Sequence, residues 1–117
     1  MEKNVASPQS NRRRSQRRKP RTSVKLQCRK GSLGLGPNVA VSALDLSASG
    51  VRLIVTQTLD TMAEVEVVID GYGMKQPVKR VGIVRWQVEM ASGQFCVGVE
   101  FQKQIEYRDW QNVASPG

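Results

Sequence analysis

The chain has no histidine and only two cysteines, Cys28 and Cys96. Without histidine, the usual proton shuttle and commonest metal ligand are missing. The cysteines have no C-x-x-C spacing, so neither a disulfide framework nor a zinc site is indicated. Aromatic residues make up 5% of the chain, which counts against a surface that stacks many bases on rings. No apolar run reaches the roughly 18 residues of a membrane-spanning helix, and Met1 to Ser10 lacks the apolar stretch of a signal peptide. The expectation is one cytoplasmic domain in 117 residues, without membrane insertion.

What is abundant is arginine and lysine at one end. Residues 1–30 hold eleven basic side chains against one acidic, whereas residues 31–117 hold seven against nine. The body of the domain is therefore nearly neutral, and an anionic partner is met at the leading segment or not by charge at all. Residues 1–16 are polar and lack apolar periodicity, so they read as a flexible basic arm. Residues 17–113 read as the domain and 114–117 as a tail.

From Thr22 onward, short runs alternate apolar and polar residues between turn signals, which is the pattern of an all-β barrel or sandwich. Six runs are expected as strands: Ser23–Arg29, Val39–Leu46, Val51–Val55, Ala63–Ile69, Val78–Val88 and Phe95–Phe101. Gly82, inside the fifth, marks a bulge or a close backbone approach. Ala91-Ser92-Gly93 makes the last hairpin. A short helix is expected around Ile105–Val113, with Ile105, Trp110 and Val113 on one side. No βαβ units recur, which excludes Rossmann and P-loop architectures. A closed barrel would remove the exposed sheet edges.

Catalytic patterns are absent. Gly31-Ser32-Leu33-Gly34-Leu35-Gly36-Pro37 has the glycines of a phosphate loop but leads into a strand rather than a helix, so it reads as a hairpin loop. Without histidine, paired carboxylates or a Ser-Lys pair would have to do the chemistry, and no spacing singles one out. A non-enzymatic chain with no cofactor or metal is expected. Two features remain: the cluster Arg12-Arg13-Arg14-Ser15-Gln16-Arg17-Arg18-Lys19-Pro20-Arg21 before the first strand, and Asp45-Leu46-Ser47-Ala48-Ser49-Gly50 between the second and third. Taken alone, the first is a solvated tail. The second is a turn in which Asp and Ser cap backbone N–H groups and Gly takes a positive φ.

Together they resemble the PilZ family, whose mark is R-x-x-x-R before the first strand and D/N-x-S-x-x-G between two later ones. Gly98-Val99-Glu100-Phe101 also resembles the family's closing hairpin. The resemblance implies a six-stranded antiparallel barrel with a C-terminal helix that binds cyclic di-GMP. It places Asp45, Ser47 and Gly50 on the second motif without ambiguity. The first motif has three registers: Arg13 with Arg17, Arg14 with Arg18, and Arg17 with Arg21. The resemblance favours the last, because the family's second arginine commonly follows a proline just before the first strand, as Pro20-Arg21 does; Arg13 with Arg17 is the runner-up.

The chemistry suits these residue types. An arginine fork can clamp a phosphate or sit on guanine O6 and N7, and Asp45 can accept from guanine N1–H and N2–H₂. Trp86 reads as a stacking neighbour of a guanine or as an ordinary core-filling or half-exposed tryptophan. Ligand binding is expected to order the arm against the sheet and so signal to an unidentified partner protein. Two alternatives stay open: a small barrel that binds nucleic acid through its arm, which the neutral body disfavours, and a PilZ interaction module that binds no nucleotide.

Overall fold

The computed structural model describes residues 17–71 and 74–115. The expectation of a flexible arm at residues 1–16, and the candidates Arg13 and Arg14 within it, lie outside the described residues. Six strands and one helix follow in order: β1 Lys25–Lys30, β2 Ala40–Ser47, β3 Gly50–Val55, β4 Glu64–Asp70, β5 Val78–Glu89, β6 Phe95–Phe101 and α1 Tyr107–Val113. All the strands pair antiparallel in one sheet of order β1-β4-β5-β6-β3-β2. The sheet curls into a half-barrel, and its two edges, β1 and β2, approach without forming a ladder. The strands expected from alternation are all present, with ends shifted by one or two residues, as is normal where pairing frays.

Alternation builds the core. Val65, Val67 and Ile69 on β4, Val51, Leu53 and Val55 on β3, and Val97 and Val99 on β6 point into the concave side and are buried there with Leu46 and Val84. Each such aliphatic side chain contributes about 1.5–3 kcal/mol relative to full exposure. The helix begins two residues later than expected, at Tyr107. Ile105 nevertheless enters the core ahead of it, Val113 closes it, and Trp110 packs against its edge. No helix among the described residues is long and apolar enough to cross a membrane.

Gly82 is a close approach and not a bulge. A Cβ there would press into the Val99 side chain and the Glu100 backbone, while the register shift of β5 lies further on, between Val84 and Trp86.

Candidate functional site

The motif turn is built from its own residues. β2 and β3 are joined by only Ala48 and Ser49, with Ser47 opposite Gly50, Leu46 opposite Val51 and Asp45 opposite Arg52. The Ser47 hydroxyl oxygen accepts from the Ser49 N–H at 3.3 Å and lies 3.2 Å from the Ser49 hydroxyl, so it holds the turn from within. The C-terminal part of the chain clamps the turn from outside: Phe101 N–H donates to the Ser49 carbonyl at 2.8 Å and Ile105 N–H to the Ala48 carbonyl at 2.7 Å. Gly50 does not have the positive φ expected of it; among the described residues the left-handed glycines are Gly31, Gly34 and Gly93. Its requirement is space, since a Cβ at Gly50 would stand inside contact distance of the Val99 carbonyl oxygen.

Asp45 is the centre of the site. Its side chain is 12% exposed, yet both its oxygens meet arginines. Arg17 Nη1 donates to Oδ1 at 3.0 Å, and Arg52 Nε donates to Oδ2 at 2.8 Å with Nη2 on the same oxygen. Burial pushes the Asp45 carboxyl up, but the hydrogen bond and charge of Arg52, then the charge and hydrogen bond of Arg17, outweigh it and hold the group below its ordinary value. Asp45 in turn holds Arg52 more firmly charged. One carboxylate thus orients two guanidinium forks, each with further N–H donors to offer.

Residues 17–21, the inner end of the arginine segment, reach this point by their own hydrogen bonds. Arg18 exchanges two backbone bonds of 2.7 Å with Leu46, Ser115 N–H donates to the Lys19 carbonyl, and Arg21 N–H donates to the Val113 carbonyl. Arg17 is thereby delivered to Asp45. Arg21 is carried past it, and its Nε and Nη2 donate to the Gln111 carbonyl at 3.3 and 2.9 Å. Of the preferred pair, the structure brings Arg17 to the motif and sets Arg21 at the end of the helix.

Arg52 is the residue that the sequence reading missed, and its signal was there. A two-residue turn at Ala48-Ser49 fixes Asp45 opposite Arg52, and an opposite-charge pair at that position is the pairing a sheet favours. The row continues across the sheet: Arg52 stands opposite Gly98 on β6, and Gly98 opposite Trp86 on β5. Trp86 is 38% exposed and its indole lies across Gly98, where any Cβ would strike the ring. Asp45, Arg52, Gly98 and Trp86 form one line over four strands, carboxylate and cations at one end and a partly exposed aromatic ring at the other.

A half-barrel of six antiparallel strands, with a two-residue turn flanked by Asp, Ser and Gly beside an arginine segment, is not a βαβ architecture. The family model of the PilZ domain matches residues 11–113, and the chain belongs to that family. Among solved structures, a chain from the K. pneumonia MrkH-c-di-GMP complex is similar in fold, with a TM-score of 0.56 at 19% identity. The likeness covers 87% of this chain and 49% of that one, so the chain spans about half the length of MrkH. No curated protein matches.

Proposed function

We propose that this PilZ domain is a non-enzymatic receptor for cyclic di-GMP, bound along the row from Asp45 to Trp86. The observation that carries the reading is the Arg17–Asp45–Arg52 cluster on the motif hairpin. It gathers two pre-oriented forks around one carboxylate and leaves net positive charge for a ligand with two phosphates. The solved MrkH complex supports the ligand class. Arg17 and Arg52 supply phosphate and guanine O6/N7 contacts, and Asp45 supplies an acceptor for the guanine N1–H and N2–H₂ edge, which adenine lacks. Ser47 and Gly50 hold the turn that aims Asp45. Trp86 offers a ring face to a base, at about 1–3 kcal/mol for a stacked base.

Arg21 joins as the second arginine of the first motif by releasing the Gln111 carbonyl, and Arg13, Arg14 and Arg18 add positive charge or an alternative register. Because residues 17–21 are already seated on the barrel by backbone bonds, the switch is an exchange of partners at Asp45. Ligand takes Arg17 from the carboxylate and draws the preceding arm with it. Fixing one further residue costs about 1–2 kcal/mol against roughly 8 kcal/mol from micromolar binding, so only a short part of the arm is ordered. The changed arm surface is what a partner protein reads.

Calorimetric titration tests this. Binding in the nanomolar to tens-of-micromolar range with preference over cyclic di-AMP is expected. At 100 times the dissociation constant, ligand should stabilise the fold by about 2.7 kcal/mol, a readable melting shift. No heat and no shift at about 1 mM ligand would reject the function.

A further inference from the structure

The sheet does not close. β1 pairs only with β4, and β2 pairs along its length only with β3. What joins the two edges sits at one end, where Val39 N–H donates to the Cys28 carbonyl and the Asn38 amide oxygen accepts from Cys28 and Ala40 N–H. At the other end the arm crosses from Leu46 to the helix terminus. Between them is a window of about 700 Å³ bounded by the arm, β1 and β2.

Its walls have a definite chemistry. Leu26, Val41 and Leu44 contribute apolar surface; Val41 and Leu44 are exposed at 49% and 39%, whereas Leu46 and Leu53 on the same hairpin are fully buried. The charged residues lining it are Lys19, Arg21 and Lys25, with no acidic side chain among the lining residues. Along Val41–Leu44, the backbone edge facing the window has no strand partner among the described residues. Native sheets usually cover or blunt such an edge with charge. Here the charge is of one sign and stands on the opposite rim, while the edge strand is irregular, with register shifts at Ala40/Ser42 and Ala43/Asp45 that leave Val41 and Leu44 standing out of the ladder.

We infer that the window is a docking site for an extended, acidic segment of a partner protein. Apolar side chains at alternate positions of that segment would enter between Leu26, Val41 and Leu44, and its carboxylates would face Lys19, Arg21 and Lys25. This is how an extended peptide uses a sheet edge: the backbone edge supplies affinity, and pockets for alternate side chains supply selectivity. The position has a further consequence. Lys19 to Arg21, one wall of the window, continue directly from Arg17 at Asp45, so the arm is shared by the motif site and the docking site. The docking itself does not depend on the nucleotide reading, and its test uses no nucleotide.

The probe is an acetylated, amidated octapeptide with three Leu-Glu repeats between terminal glycines, titrated into the ¹⁵N-labelled full chain. Shifts are expected at the amides of Lys25–Gln27 and Ala40–Leu44. Leu44→Lys and Lys25→Glu, both at exposed positions, should each weaken binding by about tenfold or more, while Lys79→Glu on β5, outside the window, leaves it unchanged. A matching Leu-Lys peptide should not bind. Three results would overturn the inference: no shifts at about 1 mM peptide, equal binding of the Leu-Lys peptide, or shifts confined to other strands. So would sedimentation of the protein alone as a dimer that Leu44→Lys dissolves, which would assign the window to a second copy of the chain.

Discussion

Replacing Asp45 with asparagine keeps the side chain's shape and removes its charge, so it isolates what the carboxylate does. Two guanidinium groups then face each other across a neutral amide. Asp45 is largely buried, but Arg17 and Arg52 are about half exposed, with side-chain exposures of 50% and 41%, so solvent screens both pairs. Each is then worth about 0.2–1 kcal/mol, and the substitution should cost roughly 0.5–2 kcal/mol of stability. For a domain of this size that lowers the melting midpoint by roughly 3–10 °C.

The pH dependence gives the sharper reading. The Asp45 carboxyl is held below its ordinary value in the fold, so its contribution is full above the unfolded carboxylate's pKa and is lost as pH falls through the depressed folded value. Melting curves of wild type and Asp45→Asn should therefore differ at about pH 7, begin to approach each other as pH falls below the ordinary aspartate value near 3.9, and converge in stronger acid. A gap that is absent at neutral pH, or that is the same in strong acid, would refute the electrostatic account of the cluster.

Four further outcomes follow from the same geometry. Arg17→Ala and Arg52→Ala should each weaken cyclic di-GMP binding by about 1–3 kcal/mol, and Arg21→Ala by a similar amount if it leaves Gln111 for the ligand, whereas Arg12→Ala should cost well under 1 kcal/mol; equal small losses at every arginine in calorimetry would mean a diffuse field and no pocket. Gly98→Ala should push the Trp86 ring off the sheet, giving a tryptophan emission shift and weaker nucleotide binding with the fold retained; an unchanged spectrum would contradict the row as described. Burial pushes the Cys28 thiol up to about 11, so a thiol reagent at neutral pH should modify Cys96 and leave Cys28 untouched until denaturant is added. Cyclic di-GMP affinity should fall by no more than about tenfold between 50 and 200 mM salt, because two phosphates release little counterion, whereas a steep slope on duplex DNA with no nucleotide binding would favour the nucleic-acid reading.

The strands were legible because this sheet buries one face, so that alternation such as Val65, Val67 and Ile69 against Glu64, Glu66 and Val68 records the fold directly. The motif hairpin was legible from the turn chemistry of Asp45, Ser47, Ser49 and Gly50 and from its resemblance to the PilZ pattern. What alternation does not carry is which residues meet across strands once bulges intervene. Arg52 could be placed opposite Asp45 by counting back from a two-residue turn, but Trp86 reaches Gly98 only through the register of β5 against β6 just past its shift. Gly50 was expected for a reason of dihedral angle and is needed for a reason of space, a distinction that depends on β6 lying beside β3. The open seam is the least legible feature. Period-two patterning is the same for a strand paired on both sides and for one whose edge is free.

The central claim is that cyclic di-GMP binds along Asp45, Arg52, Gly98 and Trp86, and amide and indole chemical shifts test it most directly. On titration with cyclic di-GMP, the amides of Asp45–Arg52 and Gly98 and the indole N–H of Trp86 should shift together and saturate with one affinity, while β4, which lies outside the row, stays still. Saturable shifts centred on Glu64–Asp70, or none along the row, would contradict the account.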